Sequence, residues 1–423
     1  MKKILVLSLC LVLLALFVAS PVLAAAKKKL TYWHPWGGRW GEKHVAIVEN
    51  GFVKDNPDID LNILFVPFGE IRNKVALSVM SGTAPDIYTV FGPPDAHTYP
   101  DRFTPLDDLI AKDPDIGLAD FFPNTIQFNS WKGQIYGLPL VSSARALYYN
   151  KDLFGEVGLD PNKPPVTWDE MDAYTEKINK ADNLGRFERI GFIPFSEGAG
   201  NFAVASYFWE NGGKLYEPTS ETVTTAHPKN VEALEWIVSY AKKYGVQNIK
   251  NFQEGWGVDA AHPFIMGQQA MSMEGIWQIG YYKDYAPNLG FGMAPRPIPR
   301  GGVHADFVYT DSTFIPLGTK DVETAWRYVR WQNLDQGWML TTLDLPSRYD
   351  HLVHPDLQGN KDYLQVAAYG VYNRVIVDMP VLKFYQDKIE AAIDEAVFSK
   401  LTPKAALEKA QRLVQTEVNR VLR

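Results

Sequence analysis

Aromatic residues stand beside polar residues at points where strand-like segments of the sequence end. His34, Trp36 and Arg39 follow the first such segment, and Phe91 ends a later one, four residues before Asp95. An aromatic ring offers a flat apolar face, and an ionised group offers directional hydrogen bonds. A sugar needs both, because its C–H surface packs on rings while its hydroxyls need hydrogen-bond partners. The pattern therefore predicts a carbohydrate-binding site.

A second group of the same composition lies later in the chain, where Glu274-Gly275 is followed by Trp277. In open α/β sheets ligands bind at the carboxyl ends of strands, so these side chains are candidates for the lining of one cleft. A single tryptophan near a strand is often part of the core. The prediction of a carbohydrate-binding site therefore rests on the whole set of aromatic and polar residues more than on any one of them.

Metal chemistry and several enzyme classes find little support. The zinc-protease, phosphate-loop and Gly-x-Ser-x-Gly motifs are absent from the sequence. His351 and His354 lie three residues apart in a proline-flanked stretch, which is typical of surface histidines. Asp113, Asp115 and Asp120 imitate a calcium loop without its closing glutamate, which predicts a solvated turn. No metal is expected.

The segment Gly198–Ala203 imitates a dinucleotide fingerprint. It follows a predicted strand and opens a predicted helix, but no clear second strand ending in an acidic residue follows at about 20 residues. We interpret it as a glycine-rich turn over a helix N-terminus, whose free N–H groups can face a polar ligand. Phe202 is therefore a candidate contact, and no cofactor is expected.

Strands and helices alternate in the first part of the chain. Leu30–Trp33 is strand-like, and Glu42–Lys54 carries apolar residues at helical spacing. Ile59–Phe65 alternates with period two, Ile71 begins a helical repeat, and Asp86–Phe91 is a third strand. The order βαβαβ predicts a doubly wound sheet with helices on both faces.

The same alternation restarts after Gly133 and predicts a second α/β domain. Thr167 and Glu170 form a capping box for a helix. Thr402-Pro403 begins a last helix whose apolar stripe we interpret as core packing. The other predicted elements are strands at Gln134–Leu140, Ala146–Tyr149 and Arg189–Phe195, and helices at Phe202–Glu210 and Val231–Tyr244.

Length and composition indicate a globular protein of two domains. The chain has 423 residues, 46% hydrophobic and 22% charged, and single cores stop growing near about 250–300 residues. Proline- and glycine-rich stretches occur at several points of the chain, and none of them is a single linker between two halves. We therefore expect the domains to be connected more than once. The net charge is −7, which lacks the basic excess that a phosphate backbone requires. Nucleic acid is not an expected partner.

Residues 1–26 have the order of a secretory signal peptide. A basic start precedes an apolar run that ends at Val18, and small residues follow through Ala26. The run is short for the roughly 20 residues of a membrane-spanning helix. Cys10, the only cysteine, follows Leu9 rather than a small residue, so no lipid anchor is expected. We expect cleavage and export to the periplasm.

Short motifs that span nearly the whole mature chain carry a resemblance to a known family. They are, in chain order, Ser81–Ile87, Tyr136–Pro139, Leu147–Phe154, Pro165–Glu170, Gly267–Trp277 and Thr402–Leu407. In this order they resemble the extracellular solute-binding proteins of ABC importers, of the maltose-binding and glycerol-phosphate-binding type. The run Leu147–Phe154 is the most specific of them.

The resemblance implies a two-lobed clamp that closes on its ligand by hinge motion. Each lobe would be a doubly wound α/β sheet, with residues 27–141 plus 312–345 in the N-terminal lobe and 142–311 plus 346–423 in the C-terminal lobe. The hinge crossovers would lie near Leu140–Arg145, Val308–Phe314 and Leu345. The expected partners are a carbohydrate and the transmembrane permease subunits of an importer, and a monomer is expected.

The resemblance also extends the set of candidate ligand-binding residues. Trp277 matches a tryptophan that commonly stacks on sugar in the family, and Phe91, Asp95, Ser143 and Arg145 match positions that face the cleft. Other members carry a glutamate where Ser143-Ala144-Arg145 stands, so the ligand cannot be copied from maltodextrin binders. The full set is His34, Trp36, Arg39, Phe91, Asp95, Ser143, Arg145, Phe202, Glu274, Trp277, Asp311 and Tyr385.

Two other functions remain open beside a carbohydrate-binding component that performs no catalysis. An exported carbohydrate-cleaving enzyme would use paired carboxylates, which an aromatic cleft rich in Asp and Glu permits. Such an enzyme would turn oligosaccharides over instead of binding them stoichiometrically. A glycerol-phosphate-type binding protein would bind phosphorylated ligands, with an affinity that falls strongly with salt.

Overall fold

A computed structural model describes residues 26–91, 100–195, 201–257, 260–307, 309–359, 361–372, 374–375 and 379–422. The strands in these residues are β1 (Lys28–His34), β2 (Ile59–Phe65), β3 (Ile87–Phe91), β4 (Ser130–Trp131), β5 (Gln134–Ile135), β6 (Gly137–Ser143), β7 (Arg145–Asn150), β8 (Lys180–Ala181), β9 (Phe187–Arg189), β10 (Tyr216–Glu217), β11 (Thr222–Val223), β12 (Met271–Gly275), β13 (Phe291–Ala294), β14 (Asp306–Phe307), β15 (Tyr309–Phe314), β16 (Leu345–Pro346) and β17 (Arg374–Val375).

Helices connect these strands and cover the sheets. In the same residues the α-helices are α1 (Gly38–Val48), α2 (Phe68–Ser81), α3 (Asp107–Lys112), α4 (Pro123–Phe128), α5 (Lys151–Glu156), α6 (Trp168–Ile178), α7 (Ser206–Glu210), α8 (Pro228–Tyr244), α9 (Val246–Phe252), α10 (Gln278–Tyr285), α11 (Val322–Leu334), α12 (Gly337–Thr342), α13 (Tyr349–Leu352), α14 (Pro355–Gln358), α15 (Lys361–Tyr372), α16 (Leu382–Val397) and α17 (Pro403–Leu422). A π-helical turn, Glu49–Val53, extends α1, and a 3-10 helix, Asn201–Ala205, precedes α7.

The larger sheet has six strands in the order β16-β6-β15-β3-β1-β2. β1 runs parallel to β2 and β3, as expected for βαβ units with crossover helices. The predicted βαβαβ order at the start of the chain is therefore confirmed. β15 joins this sheet antiparallel to β3 and β6, so a late segment of the chain lies beside the early strands.

The second sheet has three strands in the order β12-β7-β13. Both neighbours of β7 run antiparallel to it, which differs from the parallel order of a doubly wound sheet. The predicted strand Arg189–Phe195 is wrong, because only its first residue lies in a strand. β9 ends at Arg189, and Ile190 makes only an isolated parallel bridge to Gln269.

The chain crosses between the two sheets more than once, as the punctuation of the sequence predicted. It leaves the six-stranded sheet after Ser143 and enters the three-stranded sheet at Arg145, with only Ala144 between the two strands. It returns with β15 and leaves again after Pro346 of β16. The molecule thus has two α/β lobes. The lobe boundaries given above stay a prediction, with which these crossings agree.

Four hydrophobic clusters lie in the described residues, and three of them show how the lobes and their junction are packed. One contains β1, β3 and α11 residues of the first lobe, such as Tyr32 and Tyr328. The largest contains the second-lobe helices, including Leu407 and Val414 of the predicted apolar stripe on α17. A third cluster joins Trp40 and Trp338 to Ile276 and Tyr282. Trp40 and Trp338 lie on helices of the first lobe, whereas Ile276 and Tyr282 follow a strand of the second sheet, so the third cluster packs the lobes together.

Local signals in the sequence account for helix α6. Thr167 Oγ1 accepts a hydrogen bond from the Glu170 amide at 3.2 Å, and Glu170 Oε2 accepts one from the Val166 amide at 2.8 Å. The predicted capping box is present, with its return bond one residue earlier than in the standard form.

Across the described residues, no helix combines the length and the hydropathy that a membrane span requires.

Candidate functional site

Three aromatic rings meet where strands of the two sheets come together. Phe91 ends β3, and its ring stacks on Tyr309 of β15 with 4.9 Å between centroids and an angle of 12° between planes. The ring of Trp277, which follows β12, meets Phe91 edge-on at 6.2 Å. Phe91 and Trp277 are partly buried, whereas Tyr309 is buried. We call Phe91, Trp277 and Tyr309 the aromatic wall.

Gly275 fixes the position of Trp277 in this wall. A Cβ at Gly275 would lie 1.7 Å from the nearest atom of the Trp277 ring, so only glycine leaves room for the indole. The Gly275 carbonyl accepts a hydrogen bond from the Tyr148 hydroxyl at 3.1 Å, which holds the end of β12. The indole therefore packs directly against the backbone of this turn, and a residue with no side chain is required there.

Arg145 brings a buried positive charge to the aromatic wall. It begins β7, directly after the crossing from Ser143, and 4% of its surface is exposed. Its Cζ lies 5.4 Å from the centroid of the Tyr309 ring and 5.8 Å from that of Trp277. Its backbone amide donates to Asp306 Oδ2 at 2.7 Å. None of the three guanidinium nitrogens has a hydrogen-bond partner among the residues that the structure describes.

A second aromatic group surrounds two buried histidines of the first lobe. His34, at the end of β1, and His44, on α1, have ring centroids 5.1 Å apart. Trp36 packs on His44 at 4.3 Å and on Trp338 of α12 at 4.2 Å. Burial lowers the pKa of His34 to about 4 and the pKa of His44 well below its usual value. Both imidazoles are therefore neutral near pH 7.

Asp311 lies inside the six-stranded sheet, beside Phe91 of β3 and Val141 of β6. Burial raises the pKa of its carboxyl to about 7. The pairing of β15 with β6 shifts register between Asp311 and Ser312, and irregularities of this kind are common next to functional sites. The strand thus places a carboxyl that titrates near neutral pH next to the aromatic wall.

Glu274 lies immediately before Gly275, and its side chain is buried. Its Oε1 accepts a hydrogen bond from Ser272 Oγ at 2.9 Å and lies 3.5 Å from His262 Nε2. These partners come from β12 itself and from the segment that precedes it. The carboxylate is therefore satisfied within the protein and helps to hold the turn that presents Trp277.

The chain matches the family model described as bacterial extracellular solute-binding protein over residues 41–337. The chain belongs to this family. A relative from Brucella abortus (strain 2308) is 28% identical over 66% of this chain and 66% of its own length, just under two thirds of each. The arabinooligosaccharide-binding protein of Bacillus subtilis is 25% identical over 97% of this chain and 98% of its own.

A solved structure extends the similarity to three dimensions. The protein CpMnBP1 with mannobiose bound is 28% identical to this solute-binding protein and has a TM-score of 0.82. The match covers 91% of this chain and 99% of that one. The two-lobed α/β architecture and the resemblance drawn from the sequence motifs are therefore confirmed.

Four predicted site residues, His34, Trp36, Phe91 and Trp277, lie in the two aromatic groups, and Arg145 and Asp311 lie beside the aromatic wall. Arg39 is exposed and pairs with Asp284 of α10 at 3.9 Å. Tyr385 lies fully buried in the core of the second lobe, where its hydroxyl bonds Thr225 at 2.9 Å and the Leu215 carbonyl at 3.2 Å. Because that hydroxyl is already satisfied in the core, we leave Tyr385 out of the proposed site.

Two predicted contacts fall outside what the structure describes. Asp95 lies in the segment 92–99, and the glycine-rich turn 196–200 precedes Phe202, whose backbone alone is described, in the 3-10 helix. Ser143 is buried at the end of β6, next to Arg145. The sequence prediction for these three residues stays a prediction.

The other histidines and aspartates that drew attention in the sequence make structural contacts. Asp113 and Asp115 pair with Arg330, and Asp120 lies 3.6 Å from Arg348. His351 is buried, so the expectation of a surface histidine is wrong at this position, and burial lowers its pKa. Across the described residues, no group of three or more His, Cys, Asp or Glu side chains could hold a metal ion.

Sequence reasoning missed Tyr309, His44 and Trp338. Tyr309 stands two residues before Asp311, so period-two alternation would have placed both side chains on one face of the strand. His44 lies on the helix predicted at Glu42–Lys54, and a polar residue on an apolar face was the available signal. Trp338 carries no local signal, because its contact with Trp36 spans about 300 residues of sequence.

Proposed function

We propose that this chain is the substrate-binding component of an ABC importer that captures an oligosaccharide between its two lobes. The observation that carries the proposal is the aromatic wall with Arg145 beside it, at the crossing between the sheets. The wall supplies flat faces for the C–H surface of a sugar, and the guanidinium supplies donors for its oxygen atoms. The mannobiose in the similar CpMnBP1 structure supports a carbohydrate as ligand.

Capture follows from contributions of both lobes to one cleft. Phe91 ends a strand of the first sheet, whereas Arg145 begins a strand of the second sheet and Trp277 follows one. A ligand that touches both sets stabilises the closed arrangement, because its contacts exist in full only there. Delivery to the permease subunits then requires reopening, and no bond in the sugar has to break.

Binding without turnover is the proposed activity, and the Bacillus subtilis relative described above is an arabinooligosaccharide-binding protein. Glu274 and Asp311, two buried carboxyls of the region, lie on different sheets, and the buried Asp306 holds the backbone amides of Arg145 and Phe307. Glu274 is already engaged by Ser272. We therefore propose no catalytic pair and treat an oligosaccharide-cleaving enzyme as the alternative that the experiment must exclude.

Calorimetry combined with product analysis tests the proposal. The mature protein is titrated with manno-, malto- and arabino-oligosaccharides, and the mixtures are then separated by chromatography. Stoichiometric binding with the sugars recovered intact supports a binding component, whereas shortened sugars would identify an enzyme. A preference for glycerol 3-phosphate over every sugar would favour the phosphate-binding alternative.

We also propose that residues 1–26 direct export and are removed. The apolar run, the small residues that follow it and the absence of a small residue before Cys10 support this. Expression of the full chain in a Gram-negative host should yield periplasmic protein that begins near Ala25 to Lys27. N-terminal sequencing and mass spectrometry check this, and a lipid on Cys10 would contradict it.

A further inference from the structure

Arg145 differs from the other buried arginines of the described chain. Arg189 forms two hydrogen bonds with Glu156 at 2.7 and 3.1 Å, and Arg348 forms two with Asp350 at 3.0 and 2.9 Å. Arg296 donates to Glu210 Oε1 at 2.5 Å. Each of these guanidinium groups therefore has a carboxylate of the protein as its partner, and Arg145 has none among the described residues.

A buried charge without a partner is costly, because burial removes the hydration of the ion and nothing replaces it. The rings of Tyr309 and Trp277 beside the guanidinium offer only weak compensation through their faces. Folding alone gives no reason for this arrangement. A ligand that brings its own acceptor does, since that acceptor restores the missing hydrogen bonds.

Asp306, the acidic side chain that contacts the backbone of Arg145, does not supply the acceptor that the guanidinium lacks. Asp306 Oδ2 accepts from the backbone amide of Arg145, and Asp306 Oδ1 accepts from the amide of Phe307 at 2.9 Å. Both oxygens are thus used to hold the backbone at the crossing between the sheets. This carboxylate positions the start of β7, and the guanidinium is left for a different acceptor.

We infer that the preferred ligand is an acidic oligosaccharide, in which a uronate carboxylate binds the Arg145 guanidinium while a sugar ring packs on the aromatic wall. The planar fork of an arginine matches the two oxygens of a carboxylate. The unpaired guanidinium carries one positive charge, which one carboxylate balances. A phosphate monoester carries about −1.5 to −2 and would exceed it. This inference rests on the proposed function and specifies its ligand class.

Matched sugar pairs test it. Calorimetry and thermal shift are run with disaccharides that contain glucuronate, galacturonate or mannuronate, each beside the neutral disaccharide of the same linkage. At least one acidic member should bind about tenfold or more tightly than its neutral counterpart, the effect expected of a charge-assisted hydrogen bond. Glucose 6-phosphate and galactose 6-phosphate serve as the phosphorylated comparison.

Variants of Arg145 separate recognition from folding. R145Q should remove the preference for the acidic member, and R145K, which keeps the charge without the fork, should keep part of it. R300Q changes the same charge at an exposed side chain and should keep the whole preference. Without ligand, R145Q should melt no earlier than the natural protein, because it loses an unpaired buried charge.

Each outcome decides between the claims. Tight binding of neutral sugars with rejection of every acidic member would overturn the uronate assignment and leave the proposed function standing. Tighter binding of a phosphorylated sugar, retention of the preference in R145Q, or a much earlier melt of ligand-free R145Q would each overturn it as well. If no sugar of either kind binds, the proposed carbohydrate function itself fails.

Discussion

Folding stability alone does not explain why part of the Trp277 side chain is exposed. It is partly buried, and its ring packs on the backbone of Gly275, so part of the indole face is free to meet a ligand. Replacement of Trp277 by Ala should weaken oligosaccharide binding by ~2 kcal/mol or more, roughly thirtyfold, as for an anchor aromatic in a binding site. Calorimetry of the variant measures the loss.

Trp331 of α11 provides the matched control. It is also partly buried, but its ring packs on Phe52 and Tyr328 in the core of the first lobe. Trp331→Ala should therefore lower the melting temperature and leave the dissociation constant nearly unchanged. A Trp277→Ala variant that behaves in this way would show that Trp277 is a packing residue.

Asp311 predicts an unusual dependence of stability on pH. Its carboxyl has a folded pKa of about 7 against an ordinary value of 3.8, because burial disfavours the charged form. The folded state then holds more protons between these values, so this group stabilises the fold less as pH rises from about 4 to about 7. Asp311→Asn, which cannot ionise, should gain stability over the natural protein across that interval, by about 4 kcal/mol at most.

Urea unfolding of both proteins at a series of pH values measures the difference. His34 has the opposite effect. Because its pKa is lowered, its contribution to the stability of the fold declines as pH falls from about 6.5 towards 4. Since His34 is present in both proteins, its effect cancels when they are compared. A difference that stays constant between pH 4 and pH 7 would mean that Asp311 titrates at its ordinary value.

Helix α6 shows how an element can be stabilised far from the aromatic wall. Thr167 caps its N-terminus by accepting from the Glu170 amide. Thr167→Ala should lower the free energy of unfolding by about 1 kcal/mol with no change in ligand affinity. Thr416→Ala, at an exposed position within α17, should change stability much less. Equal losses in the two variants would argue against a capping role.

Elements with a strong local period were predictable from the sequence. β2 matches the predicted bounds Ile59–Phe65, and α6 begins at its predicted cap. The buried face of α1 was less predictable, because the polar His44 is buried while its apolar neighbour Val45 is only partly buried. His44 is held there by a 3.0 Å hydrogen bond to the Tyr32 hydroxyl and by Trp36. Such partners lie outside the helix, so its own period could not reveal them.

The candidate site also contains residues that the sequence could predict and residues that it could not. Phe91 ends a predictable strand and Trp277 follows one, and strand ends are the expected lining of a cleft. Tyr309 joins them only because β15 inserts antiparallel beside β3, a pairing that spans more than 200 residues. Local patterns do not specify pairings of that range. Likewise, only the three-dimensional structure shows that no carboxylate among the described residues pairs with the Arg145 guanidinium.

At the scale of the whole molecule, side chains of both lobes meet outside the aromatic wall. Asp284 of α10 accepts from Lys43 of α1 at 2.6 Å and lies 3.9 Å from Arg39. Trp40 of α1 stacks on Tyr281 of α10 with centroids 4.2 Å apart. These contacts require the lobes to be close together, so they favour the closed arrangement even without a ligand.

Asp284→Asn should therefore shift the lobes towards opening. Loss of an ion pair of this exposure is worth up to about 1 kcal/mol, so affinity should fall about two- to fivefold as the competent population declines. Small-angle scattering without ligand should give a larger radius of gyration for the variant than for the natural protein. At saturating oligosaccharide both should contract to the same value, because the ligand restores closure.

Glu188→Gln is the control for this experiment. It removes a 2.8 Å ion pair with Lys180 that lies within one β-hairpin of the second lobe, so it changes the same charge without touching the other lobe. Its scattering profile and affinity should equal those of the natural protein. If Asp284→Asn also leaves both unchanged, the α1–α10 contacts do not set the balance between open and closed lobes. If the natural protein fails to contract at saturating ligand, hinge closure itself is not part of capture.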